Sequence, residues 1–185
     1  MAVTPTGMLS LPLSHLETAL AGLSAFQTWT GEATAELAAV HVYWFEYDDP
    51  AQGAGDEAAW KAARAAERPV CVIGFSENLE AEEPAPGSYW DHSGDLVLLF
   101  EEVAQNDDGV ATAINTVTTK EALIHLNNHI GAIMEALESA VSAGGEIDLL
   151  GWELRDPPGR MSAEDVAAGQ LDIVAMAFVL KRRDM

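Results

Sequence analysis

Two rhythms of apolar residues alternate along this chain. Steps of three and four residues predict helices, and continuous or alternating runs predict strands. Ser14-His15-Leu16-Glu17 has the Ser-x-x-Glu spacing in which hydroxyl and carboxylate satisfy free backbone donors at a helix start. Leu16, Ala19, Leu20 and Leu23 follow at helical spacing, and residues 31–39 form a second helical stretch. Residues 40–47 (VHVYWFEY) are branched and aromatic and are closed by Asp48-Asp49-Pro50, which predicts a strand and a turn. Residues 57–67 (EAAWKAARAAE) are strong helix formers, and Arg68-Pro69 ends them because the residue before proline is pushed out of the helical region.

Residues 70–75 (VCVIGF) are almost wholly apolar, as expected of a central strand buried on both faces. A polar, proline-bearing connection is predicted over 77–87, a turn at Asp91-His92-Ser93-Gly94, and a strand over Leu96 to Phe100. Residues 105–109 read as a turn, and 110–117 are open between strand and helix. The clearest helix runs from Thr118 to about Ala143, with Leu123, Leu126, Ile130, Ile133, Met134, Leu137 and Val141 on one face and Gly144-Gly145 as its stop. A strand over 147–155, a turn at Asp156-Pro157-Pro158-Gly159, a short helical turn over 162–168 and a final strand over 171–183 complete the chain. Strands that succeed one another without a helix between them predict an α+β sandwich. Its sheet is mixed and mainly antiparallel, packed by one long helix and by shorter N-terminal helices, in a single domain over 1–185. One helix layer leaves a sheet face to bury elsewhere, which invites oligomerisation.

Composition narrows the function. Hydrophobic residues make up 49% of the 185 and charged residues 21%, the composition of a folded chain. A formal net charge of -21 repels a phosphate backbone, so tight nucleic-acid binding is not expected, although an acidic wall lets nucleic acid slide past without adhering. Cys71 is the only cysteine, reads as a small buried hydrophobe and excludes an intramolecular disulfide. No Lys or Arg precedes Lys61 and no apolar run spans a bilayer, so a soluble protein made in the cytoplasm, without membrane contact, is expected.

Catalytic motifs are absent. Glu121, His125 and His129 fall at four-residue steps on the long helix, but Leu126 stands where a metalloprotease motif needs glutamate. The helical angle turns His125 away from the apolar stripe and puts His129 at its edge, so both are expected as polar-face residues and no metal or cofactor is assigned. Glu82-Glu83, Glu101-Glu102 and Asp107-Asp108 are adjacent, point to opposite faces in a strand, and are expected as solvated charge. No Gly-x-Ser-x-Gly elbow or glycine-rich phosphate loop occurs, and the chain is not expected to be an enzyme. Tyr43, Trp44 and Phe45 must place large rings on both faces of their strand, which leaves a partner surface or a second helix layer open. Lys181, Arg182 and Arg183 hold three of the nine basic residues and are candidates for self-association, a cationic end meeting an anionic body.

The order of elements resembles the tail terminator (tail completion, or head-tail joining) proteins of long-tailed phages and gene-transfer particles. The N-terminal helix leading into Ala25-Phe26-Gln27-Thr28-Trp29-Thr30-Gly31 carries the likeness, with the Arg68 to Ile73 strand, the Gly94 to Phe100 strand and the long helix from Thr118. The Gly151-Trp152-Glu153 strand and the closing alternation from Asp172 to Arg183 complete it; the segment 52–68 is a departure from the pattern. The resemblance implies a virion protein of the tail-neck region, a homo-oligomer with six copies to a ring, assembled in the host cytoplasm. Such a ring caps the tail tube protein, meets the head-completion or connector protein, and lets DNA pass. Glu77, Glu80, Glu82 and Glu83 are then candidates for the acidic lining of the opening. A tail-tube or neck subunit of the same particle, and a cytoplasmic enzyme with an unrecognised site, are the alternatives.

Overall fold

Pro12 sets the start of the first helix, since its missing N–H is harmless in a first turn. Helix α1 (Ser10–Gly22) therefore begins before Ser14, which lies inside it and accepts the Thr18 hydroxyl on its carbonyl at 2.8 Å; the Ser14–Glu17 spacing is not the helix start. Leu13, Leu16 and Leu20 are its buried stripe. Helix α2 (Ser24–Thr30) buries Phe26, Trp29 and Thr30, and closes on Gly31 with φ 77°, a left-handed cap whose N–H reaches the Gln27 carbonyl. Helix α3 (Ala35–Ala38) is capped by Thr34, whose hydroxyl accepts from the Leu37 N–H at 3.4 Å. A 3-10 turn (Ala39–His41) leads into strand β1 (Val42–Trp44). This computed structural model describes residues 10–44, 59, 63, 66–82, 91–105, 119–142, 148–161 and 173–183.

The remaining elements are β2 (Val70–Glu82), β3 (Asp91–Val103), α4 (Thr119–Ser142), β4 (Asp148–Met161) and β5 (Ile173–Arg183). They form an α+β fold on a five-stranded sheet of order β1-β2-β3-β5-β4. The β1–β2 pair is parallel and the others are antiparallel. Both β3 and β4 run against β5, so they are parallel to each other, with β5 inserted between them. A parallel pair needs a crossover, and α4 lies on the path from β3 to β4.

Two expected turns are strands. The polar stretch predicted as a connection continues β2 to Glu82, and Asp91 to Gly94 belong to β3, because Leu79 to Glu82 pair with Gly94 to Asp91 after an irregularity following Phe75. Likewise Asp156 to Gly159 lie within β4, where register shifts between Leu154 and Gly159 absorb the prolines. Ala59, Ala63 and Ala66 are helical, as expected of their segment; Asp48 to Pro50, residues 106–118, and 162–170 lie outside the described residues.

Register decides what each sheet face carries. Cys71, Ile73, Leu96, Leu98, Phe100, Val174, Met176, Phe178 and Leu180 share one face and form the core with α1, α2 and α4. From α4 come Leu126, Ile130, Ile133, Met134 and Leu137, as its periodicity predicts. Ala175, Ala177 and Val179 are buried on the opposite face, beside half-buried Val97 and Leu99. Among the described residues no helix is long and apolar enough to cross a membrane.

Candidate functional site

The C-terminal end of β3 holds two adjacent carboxylates, Glu101 and Glu102, which alternation sends to opposite faces of the sheet. Both side chains are fully buried, at 0% exposure, which overturns the expectation of solvated charge. Burial of an ionised carboxylate is tolerated only when it is paired and hydrogen-bonded. Each of these has a partner from a distant element.

On the helix-covered face, Glu102 accepts the Trp29 indole N–H on Oε2 at 2.7 Å, and its Oε1 lies 2.9 Å from Nδ1 of His125. Trp29 reaches it because α2 packs across α4 and sets the indole edge-on to Phe100, with ring centroids 5.7 Å apart. The His125 side chain is only 15% exposed, so it is not the polar-face residue that the helical angle predicts. His129, one turn on, stacks tilted against it with centroids 4.6 Å apart. Burial lowers the His129 pKa, and the neighbouring His125 lowers it further against an opposing pull from Glu102. From Trp29, ring contacts continue through Phe100 and Phe178 to Trp152 on β4, at 6.0 and 5.5 Å.

On the other face, Arg68 donates from Nε to Glu101 Oε2 at 2.6 Å, and Nη2 lies equally close, with both side chains fully enclosed. Cys71 on β2, back on the helix-covered face, is buried, and desolvation, then the Glu101 charge, pushes its thiol well above the usual range. That keeps the sulfur protonated and unreactive.

A carboxylate that takes Nδ1–H of an imidazole fixes the ring and turns Nε2 outward, as base or as metal ligand. Acyl transfer also needs a nucleophile bonded to that imidazole, and among the described residues the hydrogen bond of His125 goes to Glu102. Three or more His, Cys, Asp or Glu side chains do not converge on one metal position among the described residues.

Of the residues singled out from the sequence, Glu101, Glu102, His125 and His129 meet at this end of β3, whereas the candidates for self-association and for an acidic lining do not. Tyr43 is buried, its hydroxyl 3.5 Å from Glu67, while Trp44 donates its indole N–H to Glu17 of α1 at 2.7 Å. Phe45 and Glu83 lie outside the described residues. Glu77, Glu80 and Glu82 are on the far half of β2. Lys181, Arg182 and Arg183 end the expected final strand, and their backbones pair with Asp95, Gly94 and Ser93 on one side, and with Gly151, Leu149 and Asp148 on the other. Lys181 meets Glu153 of the same chain at 3.2 Å, with both side chains more than half exposed. Sequence reasoning missed Trp29, Arg68, Glu101 and Glu102 as a set. The available signal was two adjacent glutamates directly after an apolar strand. Trp152, one of the aromatics expected as core or contact residues, is 44% exposed on the outer strand β4 beside Leu154 at 46%.

No known protein-family model matches the chain, and neither does any curated protein.

Proposed function

We propose that this chain is a structural subunit that closes into a ring with copies of itself, in the role implied by its resemblance to tail terminator proteins. The ring caps the tail tube, meets the head-completion protein on its other side, and gives DNA a passage. The observation that carries the reading is the outer strand β4, where Trp152 and Leu154 are exposed beside a sheet edge. An edge strand with unpaired backbone groups and exposed apolar side chains is a template for another chain. Pro157, Pro158 and the register shifts around them blunt its second half, which confines pairing to a short stretch and favours a finite contact over an endless sheet. A heterologous contact of that kind closes into a ring when the rotation permits.

Covering the exposed half of Trp152 and of Leu154 contributes about 1 kcal/mol each. That is too little to hold two subunits alone, so the contact must extend along the flanking surface toward the roughly 800 Å² per partner of a stable interface. The Lys181–Glu153 pair, worth about 0.2–1 kcal/mol at such exposure, is free to be exchanged for a pair across subunits. The charge of -21 fits a passage that DNA does not stick to, and Glu77, Glu80 and Glu82 on the far half of β2, with Glu83, are candidates for its lining. On this reading Glu102, His125 and Trp29 hold α2 and α4 to the sheet and perform no catalysis. Negative-stain electron microscopy of the purified chain tests it. Discrete rings support the terminator, extended tubes the tail-tube alternative, and isolated globules at high concentration overturn both.

A further inference from the structure

We infer that His125 and His129 form a chelate for a divalent first-row transition-metal ion of the zinc type, backed by the buried carboxylate of Glu102. The histidines stand one turn apart on α4 with ring centroids 4.6 Å apart. Two imidazole nitrogens on one ion at about 2.0–2.1 Å and a tetrahedral angle stand about 3.4 Å apart, a span that ring centroids 4.6 Å apart at a 52° tilt allow once the rings turn their nitrogens toward the ion.

The tautomer is set on the sheet side. Glu102 receives Nδ1–H of His125, which leaves the Nε2 lone pair as the ligand. A carboxylate–histidine pair of this form orients the ring and raises its basicity toward a metal. Charge points the same way. Glu102 is fully buried, and its contacts among the described residues are the neutral indole N–H of Trp29 and the imidazole of His125, with no Lys or Arg among them. A cation on the far nitrogen of His125 balances that buried charge through the ring.

Access and selectivity follow from burial and donor type. His125 is 15% exposed and His129 half-buried, so an ion can enter from solvent while the sheet side stays dry. Glu121 lies a further turn back, and with no third protein ligand converging among the described residues, water completes the coordination. Imidazole donors select zinc, copper or nickel over magnesium and calcium. The ion would pin a solvent-facing turn of α4 over the carboxylate, a structural role beyond ring closure and independent of it.

The test is calorimetric titration of the untagged full-length chain with Zn2+ in excess Mg2+, alongside imidazole 15N spectra. One Zn2+ per chain is expected, with a metal-shifted Nε2 resonance for His125. Affinity should fall at least about tenfold in His125→Ala and in His129→Ala, and about 10–100-fold in Glu102→Gln. Because Glu102→Gln also perturbs the fold, His129→Ala, which removes a half-buried ring outside the carboxylate pair, decides the question. Unchanged Zn2+ affinity in His129→Ala, no binding by the parent chain, or displacement of Zn2+ by Mg2+ would each overturn the assignment, the last by pointing to surface carboxylates.

Discussion

Replacing Glu102 by Gln keeps the side chain's shape and removes its charge. In the native chain the carboxylate serves the indole N–H of Trp29 at 2.7 Å and Nδ1 of His125 at 2.9 Å, in a fully buried position. Hydrogen bonds to a charged group contribute about 1.5–3 kcal/mol each and neutral ones about 0.5–1.5, so neutralising the acceptor loses about 1 kcal/mol per bond. The amide has one oxygen for two donors. Either His125 changes tautomer to accept from the new NH2, or a buried donor is left facing it at about 1–3 kcal/mol. Relief from desolvating the charge offsets part of this, and a net loss of about 1–3 kcal/mol is expected. At this length each kcal/mol lowers Tm by about 2–4 °C. Urea unfolding at fixed protein concentration reads the change directly, and a cycle with Trp29→Phe should give a coupling of about 1 kcal/mol. A loss below about 0.5 kcal/mol, the range of ordinary surface substitutions, would refute the buried network and return Glu102 to solvent.

Three further outcomes are expected. Arg68→Met removes the cation beside the enclosed Glu101 and should destabilise the fold by about 3–5 kcal/mol in urea unfolding, with much of the loss recovered in Arg68→Met/Glu101→Leu. The Cys71 thiol should resist a disulfide reagent until the chain unfolds. Its folded pKa lies above the ordinary 9.0, so the native state holds its proton longer and stability should fall as pH rises past that value, by up to about 1.4 kcal/mol per pH unit, a slope that Cys71→Ala removes. Gly31→Ala forces a side chain into φ 77° with no clash nearby and should lower stability by about 1 kcal/mol in the same assay.

What the sequence disclosed follows the range of the interactions. The α4 stripe and the apolar final strand are written in local periodicity, and both appear within two residues of their expected ends. So does the α+β class, which follows from the order of elements. The far half of β2 was hidden because its glutamates and the prolines beyond it resemble a loop, and only pairing with β3 makes it a strand. Helix α2 is a seven-residue piece, too short to show a period. Register alternation rightly sends Glu101 and Glu102 to opposite faces, but their burial depends on partners 33 and 73 residues away in sequence, which no local pattern contains. The helical angle of His125 misled because α4 packs against α2 as well as the sheet, so its buried arc is wider than the apolar stripe alone.

Self-association through the outer strand is tested most directly by the mass of the native assembly. Native mass spectrometry of the parent chain should give one discrete multiple of the 19.7 kDa subunit, expected at six, and Trp152→Glu/Leu154→Glu should reduce it to the single subunit while far-ultraviolet circular dichroism stays unchanged. A parent chain that remains a single subunit at high concentration, or an assembly untouched by that double substitution, would contradict it.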